Sequence, residues 1–157
     1  MGVFMNYESL VSEIEDEGII CTEFKMKGSG KGYYCDSAIA IDSKIETDAE
    51  KRCVLIEEFG HVKYTYGNIL DCKKISNMKQ EKIARNFGYE KLVGIVSLIN
   101  AYKKGIQSKY DLAEYLNVTE EFLDDAIQHY REKYGVYCNV DNYLIYFEPS
   151  LIIMEIF

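Results

Sequence analysis

Thr47 to Tyr66 reads TDAEKRCVLIEEFGHVKYTY, and its residue spacing predicts a single helix. Thr47 followed three residues later by Glu50 is a capping box, which gives the helix a defined start. Ala49, Cys53, Ile56 and Gly60 recur at three- and four-residue steps, forming an apolar stripe expected to face a core. Glu57 and His61 are four apart, so their side chains share one face about one turn from each other, close enough to hold a single cation. Glu58 lies beside them.

The stretch IEEFGH departs from H-E-x-x-H only at its first position. In that motif, residues i and i+4 ligate a metal and the intervening Glu acts as general base on water. Here Glu57 stands where the first His would be. A carboxylate oxygen binds zinc at nearly the distance an imidazole uses, so coordination by Glu57 is chemically sound. Taken alone, an acidic pair of this kind is also what a solvated helix face looks like.

Twenty residues beyond His61, the stretch KQEKIARNFGYEKLV offers a second helix and a third ligand. Glu81, Ala84, Phe87 and Gly88 fit the pattern E-x-x-A-x-x-F-A, with Gly88 at the last small position. The pairing of E-x-F-G-H with this second pattern resembles the ImmA/IrrE family of metallopeptidases. The resemblance implies Glu57, His61 and Glu81 as the metal ligands and Glu58 as the catalytic base. It implies a zinc-dependent metallo-endopeptidase that cuts a helix-turn-helix repressor of a prophage or mobile element, with a small sheet forming one wall of the cleft. Two carboxylate ligands cancel the formal charge of Zn2+, so the expected site is a weak Lewis acid that also admits Mn2+. Two other readings stay open: a family member that binds a repressor or toxin without cleaving it, and an unrelated helical interaction domain.

Length and composition fit such a chain. The 157 residues suit a single domain over 1–157, and 48% are hydrophobic. The formal charge of −8, from 26 acidic against 18 basic residues, argues against direct nucleic-acid binding and for a basic protein partner. No run of eighteen apolar residues and no signal-peptide pattern is present, so a cytoplasmic location is expected, with no membrane partner. Cys21, Cys35, Cys53, Cys72 and Cys138 never approach C-x-x-C spacing, and reduced, mostly buried thiols are expected.

In chain order, the pattern predicts an amphipathic helix from Tyr7 to Glu17 ending at Gly18, with Leu10, Val11 and Ile14 on one side. Two or three strands follow in IICTEFKM and YYCDSAIAID, joined by KGSGKG as a hairpin loop. By analogy with the family this chain resembles, an extended substrate is expected to add to an exposed strand edge around Ala38 to Ile41. Gly67-Asn68 reads as a turn, and Tyr64 and Tyr66, just past His61, read by default as packing at a cleft rim, with oxyanion donation as the alternative role. VGIVSLINAYKKG continues the second ligand helix to a Gly stop. A helical pair over 108–133 has helix-turn-helix spacing, Ser108 opening one helix and Thr119 the other. Its acidic second helix, with Glu120, Glu121, Asp124 and Asp125, suits protein docking or structure rather than a DNA groove. His129 reads as a packing or surface residue, and the aromatic C-terminus as a closing hairpin turning at Asp141-Asn142. The expected fold class is α+β: a small N-terminal sheet on a zincin-like helical core, then the helical pair and hairpin.

Overall fold

A computed structural model describes residues 6–64 and 75–156. Among these the chain forms six helices and two three-stranded sheets, an α+β fold. It divides into two compact units, one running to Gly88 and the other from Tyr89 onward.

In the first unit, α1 (Tyr7–Glu15) starts where the Asn6 side chain accepts from Ser9 N at 2.8 Å, and buries Leu10 and Ile14. Gly18 ends this segment at φ 86°, a conformation that favours glycine. The strands are β1 (Ile20–Phe24), β2 (Gly32–Cys35) and β3 (Ala38–Asp42), in the order β1-β3-β2. β3 runs parallel to β1 and antiparallel to β2. This corrects two expectations. KGSGKG carries the chain from one sheet edge to the other, and the tight hairpin turn lies at Asp36-Ser37, where Asp36 has φ 50°. Ala38 to Ile41 is the central strand, bonded on both sides, and the edges are β1 and β2. The physical reason is burial: Ile39 and Ile41 are the sheet residues the core covers most completely, which suits a strand flanked on both sides.

α2 (Asp48–Tyr64) lies against β2 and β3. Thr47 Oγ1 accepts from Glu50 N at 3.2 Å, as the cap predicts, while the Glu50 carboxylate pairs with Lys31. Asp48 reaches back to accept from Tyr7 N at 3.1 Å, tying the start of α1 to the start of α2. The buried face is wider than the stripe read from sequence: Arg52, Leu55 and Phe59 join Cys53, Ile56 and Gly60, whereas Ala49 is half-buried.

α3 (Ile75–Leu92) meets α2 through very small residues. A Cβ on Gly60 would lie 2.4 Å from the carbonyl oxygen of Ala84, and one on Gly88 would lie 3.2 Å from Ile56 Cγ2. Phe59 and Phe87 meet edge to face between these points, centroids 5.6 Å apart. Partners on α3 fall in number as those on α2 rise, so the two helices run antiparallel.

In the second unit the ligand helix does not run on. It stops at Leu92, and extended backbone at Gly94 (φ −71°, ψ 150°) starts α4 (Ile95–Lys103), which ends before Gly105 at φ 79°. α5 (Lys109–Leu116) and α6 (Glu120–Tyr134) begin at Ser108 and Thr119 as expected, each hydroxyl accepting a backbone N–H, at 3.0 and 3.1 Å. Asn117, left-handed at φ 55°, makes the turn between them, and Ala113 and Val118 are buried beneath it. The closing hairpin of β4 (Tyr137–Val140) and β5 (Tyr143–Tyr146) turns at Asp141-Asn142 and gains a third strand, β6 (Ile152–Glu155). Tyr130, Tyr134 and Phe147 stack between α6 and this sheet, and the buried Tyr130 hydroxyl donates to Val93 O at 2.6 Å.

The thiols are less buried than expected. Of the four described cysteines only Cys53 is buried, because Cys21, Cys35 and Cys138 lie on small sheets covered on one face. Cys72, Tyr66 and the Gly67-Asn68 turn lie outside the described residues. His129 is buried against Tyr89 and Tyr130, a packing position, 3.6 Å from Glu90.

The helix seam gives a discriminating pair of substitutions. Gly60→Ala gains helix propensity of about 1 kcal/mol but drives a methyl into backbone. A net loss of about 1–3 kcal/mol in urea unfolding is expected. Gly88→Ala meets only the Ile56 side chain, and a change within about 1 kcal/mol is expected.

Candidate metal centre

Glu57, Glu58 and His61 come from consecutive turns of α2, and Glu81 from α3 of the same unit. Glu57, His61 and Glu81 each offer one ligand atom, and these atoms all lie within 4.8 Å of one another. His61 Nε2 and Glu81 Oε2 are 3.4 Å apart. Two ligands of a tetrahedral zinc at its usual bond lengths are also about 3.4 Å apart. The His61–Glu81 pair therefore already has the spacing of two ligands, and the set of three suits a divalent cation such as zinc in its chemistry. The close approach at Gly60 makes this convergence geometrically available: with a bulkier residue there, α3 would stand off and carry Glu81 away from His61.

The imidazole is held by its neighbours. His61 is only 6% exposed, and the Tyr34 ring stacks on it, centroids 5.1 Å apart and planes at 10°. A flat ring on one face restricts tilting of the other, so β2 sets the plane of the imidazole. Tyr34 was not singled out from sequence. Its signal is faint, one tyrosine of fourteen, because only the sheet topology puts position 34 over position 61. Tyr64, the described member of the two expected tyrosines, has its ring against Phe87 at 5.3 Å.

Glu58 is covered by β2. A Cβ on Gly32 would lie 2.8 Å from both Cγ and Oε1 of Glu58, so only glycine lets the strand sit this close to the carboxyl. Burial pushes the Glu58 pKa up from 4.5 to about 7, and the neighbouring Glu57 and Glu81 carboxylates push in the same direction. A carboxyl poised there can exchange protons near neutral pH, as a general base must. Arg85, one turn beyond Glu81, places Nε 3.0 Å from Glu81 Oε1 and 3.4 Å from Glu57 Oε1. This cation, too, went unread in the sequence, since nothing in an Arg on a polar helix says which way it reaches.

One protein-family model, Peptidase_M78, described as the IrrE N-terminal-like domain, matches residues 15–128. That span takes in the first sheet, both helices of the candidate centre and most of α6. No curated protein and no solved structure matches the chain significantly. Among the described residues no helix is long and apolar enough to cross a membrane.

The Glu58 carboxyl links the site to stability. Its folded pKa lies above the ordinary value, so its contribution is fully present below about pH 4.5 and is lost as pH rises through about 7. In metal-free protein the loss is at most roughly 3 kcal/mol. Glu58→Gln cannot ionise. In thermal melts with chelator present, the parent should lose stability relative to the Gln variant between pH 5 and pH 8, and the variant should be the more stable at pH 8.

Proposed function

This chain belongs to the Peptidase_M78 family of metallopeptidases, and on that premise we propose that it is a zinc-dependent, site-specific endopeptidase. The observation that carries the reading is the convergence of Glu57, His61 and Glu81 from two helices, with the carboxyl of Glu58 beside them. In this reading Glu57 and Glu81, through carboxylate oxygens, and His61, through Nε2, hold the cation. A divalent ion so held would supply Lewis-acid chemistry, polarising a peptide carbonyl and acidifying water.

Glu58 supplies the proton chemistry. Its carboxylate accepts a proton from the attacking water and then delivers it to the nitrogen of the leaving amine. β2 packs against the carboxyl and shields it in part from bulk water, and Tyr34 holds the plane of the His61 ring. The proposed route for substrate is an extended segment adding along β2, whose other edge has no partner strand among the described residues. Gly32 and Tyr34 on that strand touch Glu58 and His61, so a peptide laid beside it runs past the base and the ligands.

For substrate we propose a basic helix-turn-helix repressor of a prophage or mobile element, acting in the cytoplasm. The net charge of −8 supports this, since a basic partner is attracted and steered by an acidic surface. The second reading, a binder that does not cut, is favoured by one observation: a carboxylate at Glu57 where the motif has His.

The test takes a helix-turn-helix repressor, chosen from the neighbouring reading frames where one is encoded there, and incubates it with zinc-supplemented parent, with Glu58→Gln and with Glu81→Ala. The parent should cut it at one bond. Glu58→Gln should cut about 100- to 10,000-fold more slowly with unchanged binding, and Glu81→Ala should lose bound metal and activity together. Binding by the zinc-supplemented parent without cleavage would establish the non-cutting reading instead.

A further inference from the structure

We infer that Arg85 is the charge compensator of this site: its guanidinium, shared between Glu57 and Glu81, supplies the positive charge made necessary by a carboxylate where H-E-x-x-H has a neutral imidazole. The inference deepens the metal reading above and rests on it for one of its two tests.

Three carboxyl groups, on Glu57, Glu58 and Glu81, crowd one end of the α2–α3 seam. Their mutual repulsion is a cost that a neutral residue at position 57 would reduce. Arg85 lies half-exposed at this point, with Nε 3.0 Å from one carboxylate and 3.4 Å from the other. Glu81 and Arg85 alone would be an ordinary pair four apart on a helix, of the favourable acid-before-base order. What such a pair does not account for is the reach across to Glu57 on α2. Sharing one planar cation between two helices holds both carboxylates in place.

The two oxygens of Glu81 are divided between neighbours. Oε1 faces Arg85 and Oε2 faces His61 Nε2. The guanidinium thus adds its charge at one oxygen and leaves the other to face His61. Counting charges, two carboxylates and a neutral imidazole leave a bound divalent cation with no net charge. Adding Arg85 restores the single positive charge of a site with two imidazoles and one carboxylate. The weak Lewis acid expected from Glu57 is thereby strengthened, because the guanidinium sits close enough to act through a partly screened medium.

Two experiments on the full chain test this. The first needs no metal: thermal melts at pH 8, low ionic strength and with chelator, for parent, Arg85→Ala, Glu57→Gln and the double variant. Arg85→Ala should lower the parent midpoint by several degrees and lower that of Glu57→Gln by less than half as much, since the crowding has already been relieved. Equal losses in the two backgrounds would make Arg85 a plain helix-surface residue and overturn the inference. The second measures zinc affinity by competition with a chromophoric chelator. Arg85→Ala should bind zinc about threefold or more tightly, because a nearby positive charge is gone, while Arg85→Lys should stay close to the parent. Unchanged or weaker affinity in Arg85→Ala would likewise overturn it. If the parent itself takes up no zinc, the metal reading fails, and the metal-free melts still decide the role of Arg85.

Discussion

The close approach of Gly60 in α2 to the backbone of Ala84 in α3 is the contact on which the candidate centre depends. Two helices can come this near only where neither presents a side chain beyond Cβ. With that spacing set, the rest of the seam follows in register, Ile56 against Gly88 and Phe59 against Phe87. The antiparallel run then brings two further pairs together, His61 with Glu81 and Glu57 with Arg85. The apolar seam and the polar centre are thus neighbouring rows of one helix pair. Packing energy on one row holds in place charges on the other that would otherwise move apart.

Those charges make the site costly in the absence of a cation. A carboxyl covered by β2 and flanked by two acidic neighbours resists ionisation, and the fold tolerates it because β2 and α2 are held by other means. Asp48 ties α2 to the start of α1, and Lys31 on the loop before β2 pairs with Glu50 in the first turn of α2. Stability is supplied at one end of the helix and spent at the other, the pattern expected where function and stability compete. The sheet has a similar division of labour. β3 is bonded on both sides and buried, while β2 lends its glycine and tyrosine to the site from an edge.

The second unit is built on different means. Hydroxyl caps at Ser108 and Thr119 and the left-handed Asn117 define its helical pair, and stacked Tyr130, Tyr134 and Phe147 fill the space beside the three-stranded sheet. The helix-turn-helix spacing of this pair is real in shape, yet its second helix opens with Glu120 and Glu121 and continues to Asp124 and Asp125. That face is electrostatically unsuited to phosphate.

Glu81 entered only through the resemblance of its stretch to a family pattern, whereas local spacing was enough to read the motif helix, its start at Thr47, the caps at Ser108 and Thr119, and Glu57 and His61 as sharing one face. Each of those signals is carried by residues within a few positions of one another, where helix geometry alone fixes which side chains share a face. Sheet order was not legible, because KGSGKG suits a hairpin and a crossover equally, and only the burial of Ile39 and Ile41 put β3 in the middle. The break at Gly94 and the strand β6 escaped for the same reason: both depend on what the segment packs against. Tyr34 over His61, Gly32 against Glu58 and Arg85 between two carboxylates are meetings of residues far apart in the chain or of unmarked direction. The sequence by itself determined which groups could do chemistry. Tertiary structure alone decided what surrounds them, since burial and charge are properties of a neighbourhood that no short stretch of chain contains.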